Sequence, residues 1–224
     1  MYDSLYGLIS VNEIYRVLGA NNKLGILEYY IIDSACQFLY KNNLEKVGIE
    51  NVQINLFSSE CLQVGFYNRI MNILGKYNLN PECLSFGLSE KIIESDSDYF
   101  ESNINALAKE GIGFFLDNYG FGYSSVSKFV SLPFFMIKMD RIFIDEMENN
   151  EMLIALREEI QLLKELNIKI LFNGLDNIDD IEFLESFNCD FIQGGDYVQS
   201  SFFSCPLPED QFLSFLNHYN FYYK

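Results

Sequence analysis

Six times along the chain, a short apolar run of strand length is followed by a longer stretch that carries its apolar residues at helical spacing. No other feature of the sequence constrains the fold as strongly. Strands that each hand over to a helix lie parallel, because only a crossover connection returns the chain to pair with its neighbour in the same direction. The strand-like runs are Val52–Phe57, Leu84–Leu88, Ile112–Leu116, Phe135–Lys138, Ile168–Phe172 and Asp190–Gln193. The helical stretches between and after them are Cys61–Leu74, Tyr99–Lys109, a short one from Ser124, Glu151–Leu166, Ile178–Phe187 and Glu209–Leu216. Ahead of the first strand, Ser10 and Glu13 form a capping-box pattern that opens a helix, for which Gly19 suits the end. A second helix is expected over Leu24–Tyr40.

Two α/β architectures satisfy this order: an open doubly wound sheet, or a TIM-type (β/α) barrel short of strands. Periodicity leaves both open. No internal repeat and no Pro/Gly/Ser-rich linker divides the chain, so residues 1–224 read as a single domain. Hydrophobic residues make up 49% and charged residues 21%, which is the balance of a packed domain rather than a disordered one.

The formal net charge of -17 excludes a protein that grips nucleic-acid backbone, since phosphates would be repelled at long range. A small anionic ligand stays compatible if a metal or a local basic group intervenes. Five cysteines (Cys36, Cys61, Cys83, Cys189, Cys205) contain no CxxC pair, and their number is odd. They read as reduced, mostly buried thiols of a cytoplasmic protein. A single histidine, His218, removes the usual ingredients of zinc sites and His-dependent triads, and reads as structural. Neither a signal peptide nor an apolar run of about 20 residues is present, so no membrane partner is expected.

The residues at the strand ends carry more specific information. Phe115–Val126 reads FLDNYGFGYSSV and is followed by Ile137-Lys138-Met139-Asp140-Arg141. Upstream stand VQINLFS (52–58) and LSFGLSE (84–90). Downstream stand LFNGLDN (171–177) and CDFIQG (189–194), the latter followed by Pro206-Leu207-Pro208. In this order they resemble six motifs of the EAL domain family: N-L-S, L-E-I-T-E, D-D-F-G-T-G-Y-S-S-L, K-I-D-R, A-E-G-V-E-T and G-C-D-x-x-Q-G…P-L-P. The resemblance runs from about Gly7 to Pro208.

That resemblance selects the barrel over the open sheet, with the site at the carboxyl ends of the strands. It also implies a barrel incomplete at its N-terminus, because the first strands, including the E-A-L strand and an Arg that touches the nucleotide, find no counterpart after Met1. Members of the family hydrolyse cyclic-di-GMP with two Mg²⁺ or Mn²⁺ ions, which activate a bridging water and clamp the phosphate oxygens. Hard divalent ions held close together need several anionic oxygens.

Mapped onto this sequence, Asn55 matches the metal-binding asparagine. Gly87 stands where the metal-binding glutamate of L-E-I-T-E belongs, and Glu90 matches its second glutamate, which steadies a neighbouring loop. Asp117 matches the first aspartate of D-D, while Asn118 replaces the second. Lys138 matches the lysine that positions the attacking water. Asn173 replaces the first glutamate of E-G-V-E, Asp176 retains an acid at the later position, and Gln193 matches the closing glutamine.

Of the mapped metal ligands, Asn55 and Asp117 survive, and Asp117 alone is charged. One carboxylate and a few amides cannot offset two divalent ions. The resemblance therefore implies that no metal cofactor and no catalytic residue is to be expected. It implies instead a pseudo-enzyme that works through a protein partner or homodimer in cyclic-di-GMP signalling. Asp140–Glu151 lies where family members place part of a dimer contact. The alternative is a metal-independent cyclic-di-GMP receptor, with Asp117, Lys138 and Gln193 as its contacts. An active phosphodiesterase is the reading least favoured. The blander reading of Asp117 and Lys138 pairs them with each other at the barrel mouth. The aromatic tail from Phe212 reads as a terminal helix packing its rings on the body.

Overall fold

The computed structural model describes residues 2–3, 7–42, 49, 51–57, 59–95, 97–120, 131–140, 142–145, 150–173, 197–199 and 207–219. Two short strands, β1 (Tyr2–Asp3) and β2 (Gly7–Leu8), pair antiparallel at the start. This hairpin has no counterpart in the sequence reading, because two residues per strand give no periodicity to detect.

Helix α1 (Val11–Ala20) starts where the capping pattern places it: the Ser10 side chain accepts a hydrogen bond from the Glu13 amide at 3.2 Å. Helix α2 (Leu24–Asn42) buries Glu28, Ile32, Cys36 and Leu39, which fall on one stripe at helical spacing. Glu28 is fully buried, and its Oε2 accepts from the Phe57 amide at 2.9 Å, tying α2 to the end of the first parallel strand.

That strand, β3 (Val52–Asn55), begins a series of β–α units. It comprises α3 (Phe66–Tyr77), β4 (Leu84–Ser89), α4 (Glu90–Ile93), α5 (Phe100–Lys109), β5 (Gly113–Tyr119), β6 (Phe134–Met139), α6 (Ile142–Asp145) and α7 (Asn150–Glu165). β7 (Lys169–Asn173), β8 (Tyr197–Gln199) and α8 (Glu209–Tyr219) complete the described elements. The strands form one six-stranded sheet in the order β3-β4-β5-β6-β7-β8, and every pairing is parallel. Strand order equal to chain order is the topology of a (β/α) barrel; an open doubly wound sheet would reverse direction part-way. The expected incomplete TIM-type barrel is therefore the fold.

Two boundaries differ from the sequence reading. The helix expected over Cys61–Leu74 is split into a 3₁₀ turn, Ser59–Leu62, and α3, which starts five residues later than expected and runs on to Tyr77. Gly65 breaks the run with φ of 87°, and Asn78 at φ of 53° ends α3, its amide capping the carbonyls of Leu74 and Gly75. The sixth described strand is Tyr197–Gln199, whereas the sequence places one at Asp190–Gln193; that segment, the helix from Ser124 and the helix Ile178–Phe187 lie outside the described residues.

Parallel strands covered by crossover helices are buried on both faces, and here the two faces do different work. On the helix side, Ile54, Phe86, Leu88, Phe114, Leu116 and Phe172 join Ile70, Leu74, Ile104, Leu107, Leu156 and Ile160 from α3, α5 and α7 in the main core. On the barrel-interior side, Phe115, Met136 and Leu171 form a separate small cluster with Phe135. Asn103 on α5 is buried and donates through Nδ2 to the carbonyls of Cys61 and Gln63, both at 2.9 Å, which fixes the 3₁₀ turn onto the body. The Phe212 ring of α8 lies 6.2 Å from Phe38, and Leu213 and Leu216 pack on the core, so the terminal helix does dock. Cys36, Cys61 and Cys83 are buried free thiols, as expected for three of the five.

Candidate functional site

The parallel register brings the mapped residues to one end of the barrel. Asn55 pairs with Gly87, Gly87 with Phe115, and Phe115 with Met136, making one row across four strands. Side chains two residues apart on a strand share a face, so Asp117 stands above Phe115, Lys138 above Met136, and Asn173 above Leu171. All of these lie at the carboxyl ends of their strands, where a (β/α) barrel gathers its chemistry.

Gly87 is walled in. A Cβ built there would come within 2.6 Å of Cζ of the Phe115 ring and of Oδ1 of Asn55. The Phe115 ring is fully buried, and the Lys138 ammonium sits over its face, 4.2 Å from the centroid. The structure thus assigns Lys138 a ring as its near neighbour. Asp117 and Lys138 still feel each other's charge, but among the described contacts no ion pair joins them directly. The simple pairing expected from the sequence is corrected to a longer-range attraction. The Asp117 carboxylate instead accepts from Nδ2 of Asn118 at 3.2 Å, so the residue replacing the second aspartate serves as a donor to the first.

Burial dominates the electrostatics of both charges. Desolvation raises the pKa of Asp117, against the lowering effects of Lys138 and the Asn118 amide, and Asp140 adds a further rise. Desolvation lowers the pKa of Lys138, against the opposing pull of Asp117. Asn173 Oδ1 is buried and finds no hydrogen-bond partner among the described residues.

Glu90 is buried, and its Oε1 accepts from the Gly120 amide at 3.5 Å, next to the loop that follows β5. The Tyr119 hydroxyl donates to Glu159 of α7 in the same neighbourhood; burial raises the pKa of both groups, and the charge of Glu90 adds a smaller rise. A loop-steadying position for Glu90 is what the family motif implies. Asp176 and Gln193 lie outside the described residues, as do residues 141 and 146–149 of the Asp140–Glu151 stretch.

Sequence reasoning gives Phe115 no place in the site and does not anticipate that Asp140 acts on Asp117. Phe115 lies two positions before Asp117 on a strand and so shares its face, which period-two reasoning could have noticed. That its ring meets Gly87 depends on the register between two strands, which the sequence does not display.

With a parallel, chain-order (β/α) sheet and polar residues gathered at its carboxyl ends, the class is that of (β/α) barrel proteins. More narrowly, the EAL domain family matches residues 2–200, and the chain belongs to it. The oxygen sensor protein DosP of Escherichia coli is 25% identical over 212 residues, which cover 94% of this chain and 26% of DosP. The bifunctional diguanylate cyclase/cyclic di-GMP phosphodiesterase MucR of Pseudomonas aeruginosa is 25% identical over 210 residues, covering 93% of this chain and 30% of MucR. The chain thus spans under a third of the length of either relative. Among solved structures, the MucR phosphodiesterase in its cyclic-di-GMP complex superposes with a TM-score of 0.80 at 24% identity, covering 94% of this chain and 83% of that one. The FimX EAL domain of Pseudomonas aeruginosa bound to cyclic-di-GMP gives 0.77 at 16% identity, covering 92% and 80%.

The two divalent ions that this family implies need several anionic oxygens converging on one region. The described donors do not supply them. Among the described residues, no group of three or more His, Cys, Asp or Glu is gathered closely enough to hold a metal ion. Asn55 and Asn173 offer neutral oxygens, Asp117 is held by Asn118, and the space in front of Gly87 is taken by the Phe115 ring. Lys138 brings a positive charge to the same mouth. Among the described residues, then, the donor set and the family's metal pair do not match.

Proposed function

We propose that this chain is a catalytically silent EAL domain that acts in cyclic-di-GMP signalling through protein contacts, either with another protein or with a second copy of itself. One observation carries the reading: the Phe115 ring fills the space in front of Gly87, where the family motif has a metal-binding glutamate, and the described carboxylates form no cluster there. The net charge of -17 supports a non-nucleic-acid role. No helix among the described residues is long and apolar enough to cross a membrane, and a cytoplasmic setting fits a signalling module of this kind. The names of the relatives above, an oxygen sensor and a bifunctional cyclic-di-GMP enzyme, supply the signalling context.

A second reading, a metal-independent cyclic-di-GMP receptor, draws on Asn173 Oδ1, a buried acceptor without a partner among the described residues that a guanine or ribose donor could fill. Isothermal titration with cyclic-di-GMP, with and without Mn²⁺, followed by chromatography of the nucleotide, separates the readings. The interaction module gives no heat and intact nucleotide. Binding without cleavage would replace it with the receptor, and Mn²⁺-dependent cleavage would refute both.

A further inference from the structure

We propose that Gly87 and Phe115 are a size-exchanged pair, in which the Phe115 ring fills the volume of an ion-ligating side chain on the adjacent strand and so closes the barrel mouth to divalent ions. The two residues are register partners on β4 and β5. Even a methyl group at position 87 would sit 2.6 Å from Cζ of Phe115, well inside van der Waals contact. The ring is not free to swing aside. It is fully buried, it packs with Met136, Leu171 and Phe135, and it carries the Lys138 ammonium on its face.

The mismatch with the family's ions is therefore a repacked core as well as a missing carboxylate. Restoring the carboxylate alone would drive it into the ring. Shaving the ring at the same time opens the space, and a carboxylate at position 87 then stands beside Oδ1 of Asn55 and below Asp117, three oxygen donors for one divalent ion. The inference rests on the proposal that the native mouth holds no divalent ions.

The test uses the whole chain in four forms: native, Gly87→Glu, Phe115→Ala and the double variant. Mn²⁺ binding is read by the loss of the free-ion paramagnetic resonance signal. The double variant binds Mn²⁺ at least about tenfold more tightly than either single variant. A companion pair guards against misfolding: Gly87→Ala lowers the melting temperature in the native background and lowers it much less in the Phe115→Ala background. Mn²⁺ binding by Gly87→Glu as tight as by the double variant would overturn the proposal, as would a double variant no tighter than the singles. Equal effects of Gly87→Ala in both backgrounds would do the same. Mn²⁺ binding by the native chain would instead refute the silent-domain reading on which this inference stands.

Discussion

Replacing Lys138 with Met removes one charge from the barrel mouth and leaves the other buried. Lys138 is 5% exposed and Asp117 7%, so neither charge is well hydrated. Removing one member of a buried pair costs about 3–5 kcal/mol, because the remaining charge loses its compensation. Here the two are not in direct contact, which points to the lower end. The contact between Lys138 and the Phe115 ring, worth roughly 2 kcal/mol when desolvated, is partly regained by the Met thioether on the same ring. The expected cost of Lys138→Met is about 3 kcal/mol, a fall in melting temperature of about 6–12 °C for a chain of this size.

The pH dependence gives a sharper signature. Asp117 already has a raised pKa from desolvation, and Lys138 is the main group lowering it. Without Lys138, the folded-state pKa rises further above the unfolded value of about 3.9. A carboxyl with a raised folded pKa contributes stability that is fully present below the unfolded pKa and is lost as pH rises through the folded one. The deficit of Lys138→Met against the native chain therefore shrinks on moving from about pH 8 to about pH 5. The double variant Asp117→Asn/Lys138→Met, with neither charge, lies within about 1 kcal/mol of the native chain, with the Asp117-linked pH dependence gone. Urea unfolding of the three chains at both pH values is the assay. A Lys138→Met variant as stable as the native chain at both, or a deficit that grows toward acid, would refute the reasoning.

Asn103→Ala strips the carbonyls of Cys61 and Gln63 of their donor, and thermal denaturation should show a loss of about 1–3 kcal/mol, carried mainly by the buried Cys61 acceptor. Burial pushes the Cys36 and Cys61 thiols up to about 12, so alkylation at about pH 8 spares both in the native chain and labels both after unfolding. Labelling of the native chain at either cysteine, read by peptide mass, would show that these segments open.

Much of the fold was legible because its signals are local. The capping of α1 by Ser10, the five parallel strands from Val52 to Asn173 and the docking helix near Phe212 all follow from spacing and residue type within a few positions. The split of the helix expected over Cys61–Leu74 was not legible. Its apolar positions keep a helical period, and the break comes from Gly65 adopting a positive φ, which an apolar pattern does not register. In the site, the identities of Asn55, Gly87, Asp117, Lys138 and Asn173 were readable, and their gathering at one end follows once the strands are parallel. The neighbour each side chain meets was not readable: Lys138 was expected on Asp117 and lies over Phe115.

The sequence by itself determined that the sheet is parallel and which residues reach its carboxyl end, because the alternation of short and long apolar periods admits no other connection. It also determined how little negative charge is available there. The tertiary structure alone decided how the space of the missing carboxylate is used. Gly87 and Phe115 are 28 positions apart in the chain, and only the register between β4 and β5 sets a ring against a glycine. A register is fixed by the packing of both sheet faces at once, so no local pattern encodes it.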